Sequence, residues 1–202
     1  MSRTLFTSRL GGDLKIFSGR ISLRKTLALK SLHFMRQSHS DLVMVVDEEG
    51  SDFECDALVT RSLNVGLAAL AADCMPVALR ADGVIGVAHV GRVGLVNGLA
   101  PKVVSVMRSQ GAQEITATIG PSICSLCYEV SAEMYSEITS LLPATSTSLQ
   151  RRALNLRAGL TSQLSDCGVM VRDSDICTLE NLRYFSFRGG DLQARQAGII
   201  SL

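Results

Sequence analysis

The chain contains three histidines, at positions 33, 39 and 89, and any imidazole chemistry must draw on them. His89 closes the apolar run Val84-Ile-Gly-Val-Ala-His89, with Gly91 just beyond, and Cys74 stands in Ala72-Asp73-Cys74-Met75-Pro76, immediately before the apolar run Met75–Arg80. If these runs are antiparallel neighbours joined at Asp82-Gly83, Cys74 begins one strand and His89 ends the next, and the two fall nearly opposite each other at one sheet end. The polar segment Arg36-Gln-Ser-His39-Ser-Asp41 is placed to fold over that end. Two imidazoles and a thiolate with an open fourth position make a catalytic rather than a structural zinc pattern. A metal held so would generate hydroxide near neutral pH or polarise a substrate oxygen. The same residues also admit a plainer reading, with Cys74 a small buried hydrophobe and His39 and His89 surface or hydrogen-bonded residues.

Two further motifs carry reactive groups. Arg9 precedes Gly11-Gly12, and a guanidinium beside a flexible glycine pair suits a bidentate carboxylate or phosphate, or simply a surface turn. Cys124-Ser-Leu-Cys127 has the C-x-x-C spacing of redox and zinc proteins, but a zinc ribbon needs a second pair. It therefore reads as structural, as do Cys55 and Cys167. Six scattered cysteines are too few for a disulfide-stapled secreted scaffold, which favours reduced thiols in a cytoplasmic protein.

The elements that must position these groups are legible from periodicity. Ala57–Thr60, Val65–Leu70, Met75–Arg80 and Val84–His89 read as short strands, several apolar at consecutive positions as suits strands covered on both faces. Leu99, Val103, Val106 and Met107 share a helical face, with Pro101 in the first turn and Gly111 as the stop. Ile115–Ile119 returns to strand. Val130, Met134, Ile138 and Leu141 predict a second helix, and Leu149, Leu156, Leu160 and Leu164 a third ending near Gly168. Val169–Arg172, Tyr184–Phe187 and Ile199–Leu202 close the chain as strands. Strands interleaved with helices predict one α/β domain over 1–202, layered α/β/α around a mixed sheet.

Composition narrows the function classes. Of 202 residues 47% are hydrophobic but only 4% aromatic, with no Trp, so the core must be aliphatic. Twenty Lys+Arg against 19 Asp+Glu leave a net charge of +1, which argues against gripping nucleic acid by bulk charge. The N-terminus lacks the apolar run of a signal peptide, and Val65–Leu79, interrupted by Asp73, falls short of the roughly 20 residues that span a bilayer. A soluble protein is expected.

Taken in order, the motifs resemble one family, the YfiH-like laccase-domain proteins, also described as multifunctional purine nucleoside phosphorylases and polyphenol oxidases. Phe6-Thr-Ser-Arg9-Leu-Gly-Gly12, Arg36-Gln-Ser-His39, Asp56-Ala-Leu-Val-Thr60 and Ala72-Asp-Cys74-Met-Pro76 resemble its successive blocks, followed by His89-Val-Gly-Arg-Val-Gly94, Ile119-Gly-Pro-Ser-Ile123 with Cys127-Tyr-Glu-Val130, Cys177-Thr178 and Tyr184-Phe-Ser-Phe-Arg188. The chain departs from the family where Arg92-Val93 replaces Trp-Arg, Ser40 replaces Gly, Cys124 stands at a usual Gly, and Pro101 enters a helix. The stretch from Gly12 to Arg36 is also shorter than usual.

The resemblance places the family's metal triad on His39, Cys74 and His89, with zinc, or alternatively copper, as cofactor. It implies phosphorolysis of adenosine, inosine or methylthioadenosine and deamination of adenosine, with polyphenol oxidation a further family activity. The partners expected are a small nucleoside and phosphate, with no nucleic acid and no membrane. On this reading Asp73 assists proton transfer beside Cys74, and Arg9 holds the phosphate. Two alternatives stand beside it. One is a thiol hydrolase with Cys74 as nucleophile and His89 as base, for example editing peptidoglycan precursors; the other is a degenerate, non-catalytic metal-binding member.

Overall fold

The computed structural model describes residues 2–50, 53–148 and 152–202. Its strands are β1 (Arg3–Phe6), β2 (Ser31–Phe34), β3 (Val43–Val45), β4 (Ala57–Thr60), β5 (Val65–Ala71), β6 (Met75–Ala81), β7 (Val84–Val90), β8 (Thr116–Ile119), β9 (Met170–Asp173) and β10 (Gln196–Ser201). The helices are α1 (Phe17–Thr26), α2 (Arg92–Val96), α3 (Leu99–Ser109), α4 (Ala132–Leu141) and α5 (Leu156–Asp166).

The α/β class matches the expectation from sequence, but the strands divide between two mixed sheets rather than one. The first runs β1-β10-β5-β2 and the second β3-β4-β7-β6-β8-β9. Alternation along each strand decides what covers each face. On the second sheet Leu58, Ala78, Ile85 and Val87 point at Val65, Leu67, Ala69 and Ile200 of the first, forming a buried inter-sheet layer. The opposite face, with Val59, Val77, Leu79 and Val90, packs against Leu95, Val103, Met107 and Leu160 from α2, α3 and α5. The outer face of the first sheet, through Ala68, Ala197 and Ile199, is covered by Leu14 and by Leu23 of α1. The consecutive apolar runs therefore mark strands with a sheet on one side and a helix on the other. A fully buried aliphatic side chain in such a layer stabilises by about 1.5–3 kcal/mol.

Local chemistry sets the element ends. Pro101 lies in the first turn of α3, where its missing N–H costs nothing, and Gly111 supplies the positive φ, +97°, just past its end. Ser131 caps α4 by accepting from the Met134 N–H, so the helix begins after Val130. Asn155 caps α5 by accepting from Ala158, so the third helix begins at Leu156; Leu149, the first residue of its expected stripe, lies outside the described residues.

Tyr184–Phe187 is not a strand. Its backbone pairs with side chains: Phe185 N donates to Gln196 Oε1, Gln196 Nε2 donates to Phe185 O, and Ser186 N donates to Asp191 Oδ2. Those bonds take up groups that a ladder would need.

Candidate active site

The β6–β7 hairpin carries two of the three expected ligands. Its register pairs Pro76 with His89 and Met75 with Val90, closing at Ala81 and Val84 through a turn in which Gly83 has φ +68°. His89 shares the parity of Ile85 and Val87, and Cys74 that of Ala78, so both sit at the end of the second sheet on the face that meets the first. The chain then delivers His39 to the same end, because residues 35–42 cross from β2 in one sheet to β3 in the other.

The crossing segment is held at both ends. The Gln37 side chain forms a two-way bond with β5, donating to Leu70 O and accepting from Leu70 N, both at 2.8 Å. Asp56 Oδ2 accepts from Ser38 N, Ser40 N and Ser40 Oγ at 3.1, 2.6 and 2.8 Å. Between these anchors His39 adopts φ +60°, and Asp73, beside Cys74, has φ +88°. Non-glycine residues in this left-handed region are strained, and such strain concentrates where surrounding structure holds side chains for function.

His39, Cys74 and His89 converge, with one ligand atom from each within 4.8 Å of the others. Cys74 Sγ lies 3.7 Å from His39 Nε2, and the two imidazole rings meet edge to face with centroids 4.8 Å apart. The other oxygen of Asp56, Oδ1, binds His89 Nδ1 at 2.8 Å, which turns His89 Nε2 toward the cluster. Gly91 completes the enclosure: a Cβ there would meet Cys74 Sγ at 2.9 Å and His39 Cδ2 at 3.0 Å.

The electrostatics follow from these contacts. Burial alone would raise the Asp56 carboxyl, but bonds from His89 and Ser40 outweigh it and hold the group at about 2. Burial likewise opposes charge on Cys74 and His89. The positive His89 and the bond from His39 nevertheless bring the Cys74 thiol down to about 6, and the Cys74 thiolate and Asp56 raise His89 to about 9. With no metal bound the pair favours thiolate against imidazolium, and a cation would take the place of the His89 proton.

This donor set fits a metal. Tetrahedral zinc with N and S ligands at 2.0–2.3 Å requires donor-to-donor edges of about 3.3–3.8 Å, close to the observed sulfur–nitrogen separation. A carboxylate holding the far nitrogen of a ligand histidine is the usual supporting arrangement. His89 is buried while His39 is exposed, which leaves the cluster approachable from one side.

That side opens into a cavity of about 1240 Å³. Its wall is aromatic through Phe34, Phe53, Tyr128 and Phe187, and basic through Arg20, Arg24, Arg36, Arg188 and Arg195. Arg20 stacks over Phe34 at 4.4 Å and Arg188 over Tyr128 at 4.9 Å. Arg92 and Val93, in α2, do not line this cavity.

Two other residues singled out from the sequence are placed differently from the three ligands. Arg9 is absent from the cavity wall; its guanidinium is engaged in a two-pronged ion pair with Asp191, and its Nε donates to Tyr184 O at 3.0 Å. Those donors are spent inside the protein. Asp73 does line the cavity, but Thr178 Oγ1 donates to its Oδ1 and Arg188 N to its Oδ2, both at 2.7 Å. Both oxygens thus fasten the Cys74 turn.

Asp56 is a further functional residue, one to which the sequence alone assigns no role. The signal available was a carboxylate opening a fully buried strand, a position that demands partners.

The chain is similar to several known proteins in sequence and in fold. The model of the family described as multi-copper polyphenol oxidoreductase laccase matches residues 14–202. The chain is 38% identical to a purine nucleoside phosphorylase of Streptomyces coelicolor, covering 96% of this chain and 87% of that protein. It is 42% identical to a purine nucleoside phosphorylase of Streptomyces griseus, over 84% and 73%. Among solved structures, a Neisseria meningitidis protein of the DUF152 family superposes with TM-score 0.88 at 24% identity, covering all of this chain and 94% of that one. The Bacillus licheniformis protein YfiH gives 0.83 at 23%, over 100% and 92%. On sequence and fold together, this chain belongs to the YfiH-like, multi-copper polyphenol oxidoreductase laccase family.

Proposed function

We propose that the chain is a purine nucleoside phosphorylase that cleaves adenosine, inosine or methylthioadenosine with phosphate, and that the same site deaminates adenosine. The observation that carries this reading is the His39–Cys74–His89 cluster at the mouth of an aromatic and basic cavity, in a chain 38% identical over 96% of its length to a protein named for that activity.

In phosphorolysis a phosphate oxygen bonds to C1′ of the ribose as the C1′–N9 bond breaks. The bonding pair leaves with the purine, which takes up a proton. The aromatic wall offers flat surfaces on which a purine would stack, and the arginines give that wall the positive charge that would attract a phosphate. Asp56 orients His89, and Asp73 fixes the turn that presents Cys74. A bound zinc or copper ion would supply Lewis-acid polarisation of oxygen.

Incubating the protein with adenosine, with and without phosphate, tests the proposal. Adenine and ribose 1-phosphate are expected only with phosphate, and inosine in either condition. Free ribose with phosphate present, or no product at all, would refute phosphorolysis.

One observation favours a second reading. Thiolate Cys74 beside cationic His89 is also the resting state of a thiol hydrolase, which would keep its turnover after the metal is stripped.

A further inference from the structure

Cys124, Cys127, Cys177 and Glu180 form a second convergence, each offering one ligand atom within 4.8 Å of the other three. We propose that these four residues bind one borderline-soft divalent cation of the zinc class, as a closed structural site of three thiolates and one carboxylate.

Donor chemistry and scaffold both support it. Cys127 Sγ donates to Glu180 Oε1 at 3.3 Å, a separation that a zinc tetrahedron with edges of about 3.3–3.8 Å would keep once a cation replaced the proton. Cys127 N and Tyr128 N both donate to Cys124 O at 3.1 Å, a turn that gathers the first two sulfurs. Cys177 arrives from 50 residues further along, on a loop fixed independently of any metal. Ser122 N donates to Ile176 O and Thr178 N to Ser122 O, both at 3.1 Å. Buried Arg157 clamps the two loops, its Nη2 donating to Ser122 O at 2.7 Å and also to Ile176 O, and its Nε to Ser122 Oγ at 2.9 Å.

Two further features match coordination. Cys124 N donates to Cys177 Sγ at 3.4 Å, the kind of outer bond that supports a coordinated thiolate. A shallow opening lined by Cys177, Glu180 and Asn181 gives an ion a path from solvent. Thiolates select zinc over magnesium or calcium, and four protein ligands leave no position for substrate.

The site touches the first cluster through Asp73. Ile123, adjacent to Cys124, donates its N–H to Asp73 O at 2.9 Å, and Thr178, adjacent to Cys177, donates to Asp73 Oδ1. A cation here braces the turn that presents Cys74.

The test titrates reduced, metal-stripped full-length protein with Co(II), reading tetrahedral d–d and thiolate charge-transfer absorption. Two equivalents are expected, one with charge-transfer intensity about three times that of the single-thiolate site. Cys127→Ser should lose that equivalent and keep the other; Cys74→Ser should do the reverse. Circular dichroism checks that each variant folds, and Glu180→Gln, an exposed change, keeps the test independent of folding by shifting the d–d bands and weakening the second equivalent about tenfold. Saturation of the wild-type chain without the three-thiolate charge-transfer band, two equivalents persisting in Cys127→Ser, or a disulfide among these cysteines in reducing buffer would each overturn the proposal; a single equivalent with that band would leave it standing and count against the first cluster.

Discussion

His89 can present one ring nitrogen to the cluster because Asp56 holds the other, and the same carboxylate positions the His39 segment through Ser38 and Ser40. Asp56→Asn should therefore lower metal affinity about 10–100-fold, read by chelator competition. Its effect on stability should depend on pH. The carboxyl is depressed to about 2 in the folded chain against an ordinary value near 3.9, so its stabilisation is fully present above pH ~4 and is lost as the pH falls toward 2. Urea denaturation should show the gap between wild type and variant closing over that window. Cys74 gives a second handle. With the metal stripped, its thiolate persists down to about pH 6, so iodoacetamide should label the Cys74 peptide at pH 6.5 well ahead of Cys55, whose thiol burial pushes up to about 11. Restoring zinc should suppress the labelling. The convergence of His39, Cys74 and His89 is legible because histidine is scarce and the hairpin geometry is countable. Asp56 was not assigned a role because its partners are set by a crossing between sheets that no local pattern announces.

The hairpin and the crossing segment determine how closely the ligands approach. Gly91 sits where a methyl group would meet both Cys74 Sγ and His39 Cδ2. Gly91→Ala should displace a ligand and weaken metal binding, while costing about 1–3 kcal/mol of stability, as overpacked sites do; metal content and thermal unfolding measured together check both. Strand periodicity gave β4 to β8 with small end errors, since continuous apolar runs between turn residues have few other readings. It could not separate one sheet from two, because a run buried on both faces looks the same whether a sheet or a helix covers it. Tyr184–Phe187 misled for the opposite reason: an aromatic run of strand-like composition is held by the side chains of Gln196 and Asp191.

The whole chain carries a net charge of +1, yet five arginines line one cavity, so charge is concentrated where an anion would bind. Near-neutrality argues against bulk polyanion binding and is compatible with a local anion site. No helix among the described residues is long and apolar enough to cross a membrane. Of the cavity arginines, Arg188 is the most informative to change, because its backbone N–H bond to Asp73 survives loss of the side chain. Arg188→Ala should raise the KM for phosphate about tenfold, or ~1.4 kcal/mol, and lower the melting temperature by a few degrees, because both Nη groups donate to Glu129 O and the guanidinium stacks on Tyr128. Phosphorolysis at the proposed His39–Cys74–His89 cluster is tested most directly by transfer of isotopically labelled phosphate from solution into ribose 1-phosphate with inosine as substrate. Wild-type protein should transfer the label and Cys74→Ala should do so about 100-fold more slowly or worse; no transfer by the metal-loaded wild type, or undiminished transfer by the variant, would contradict it.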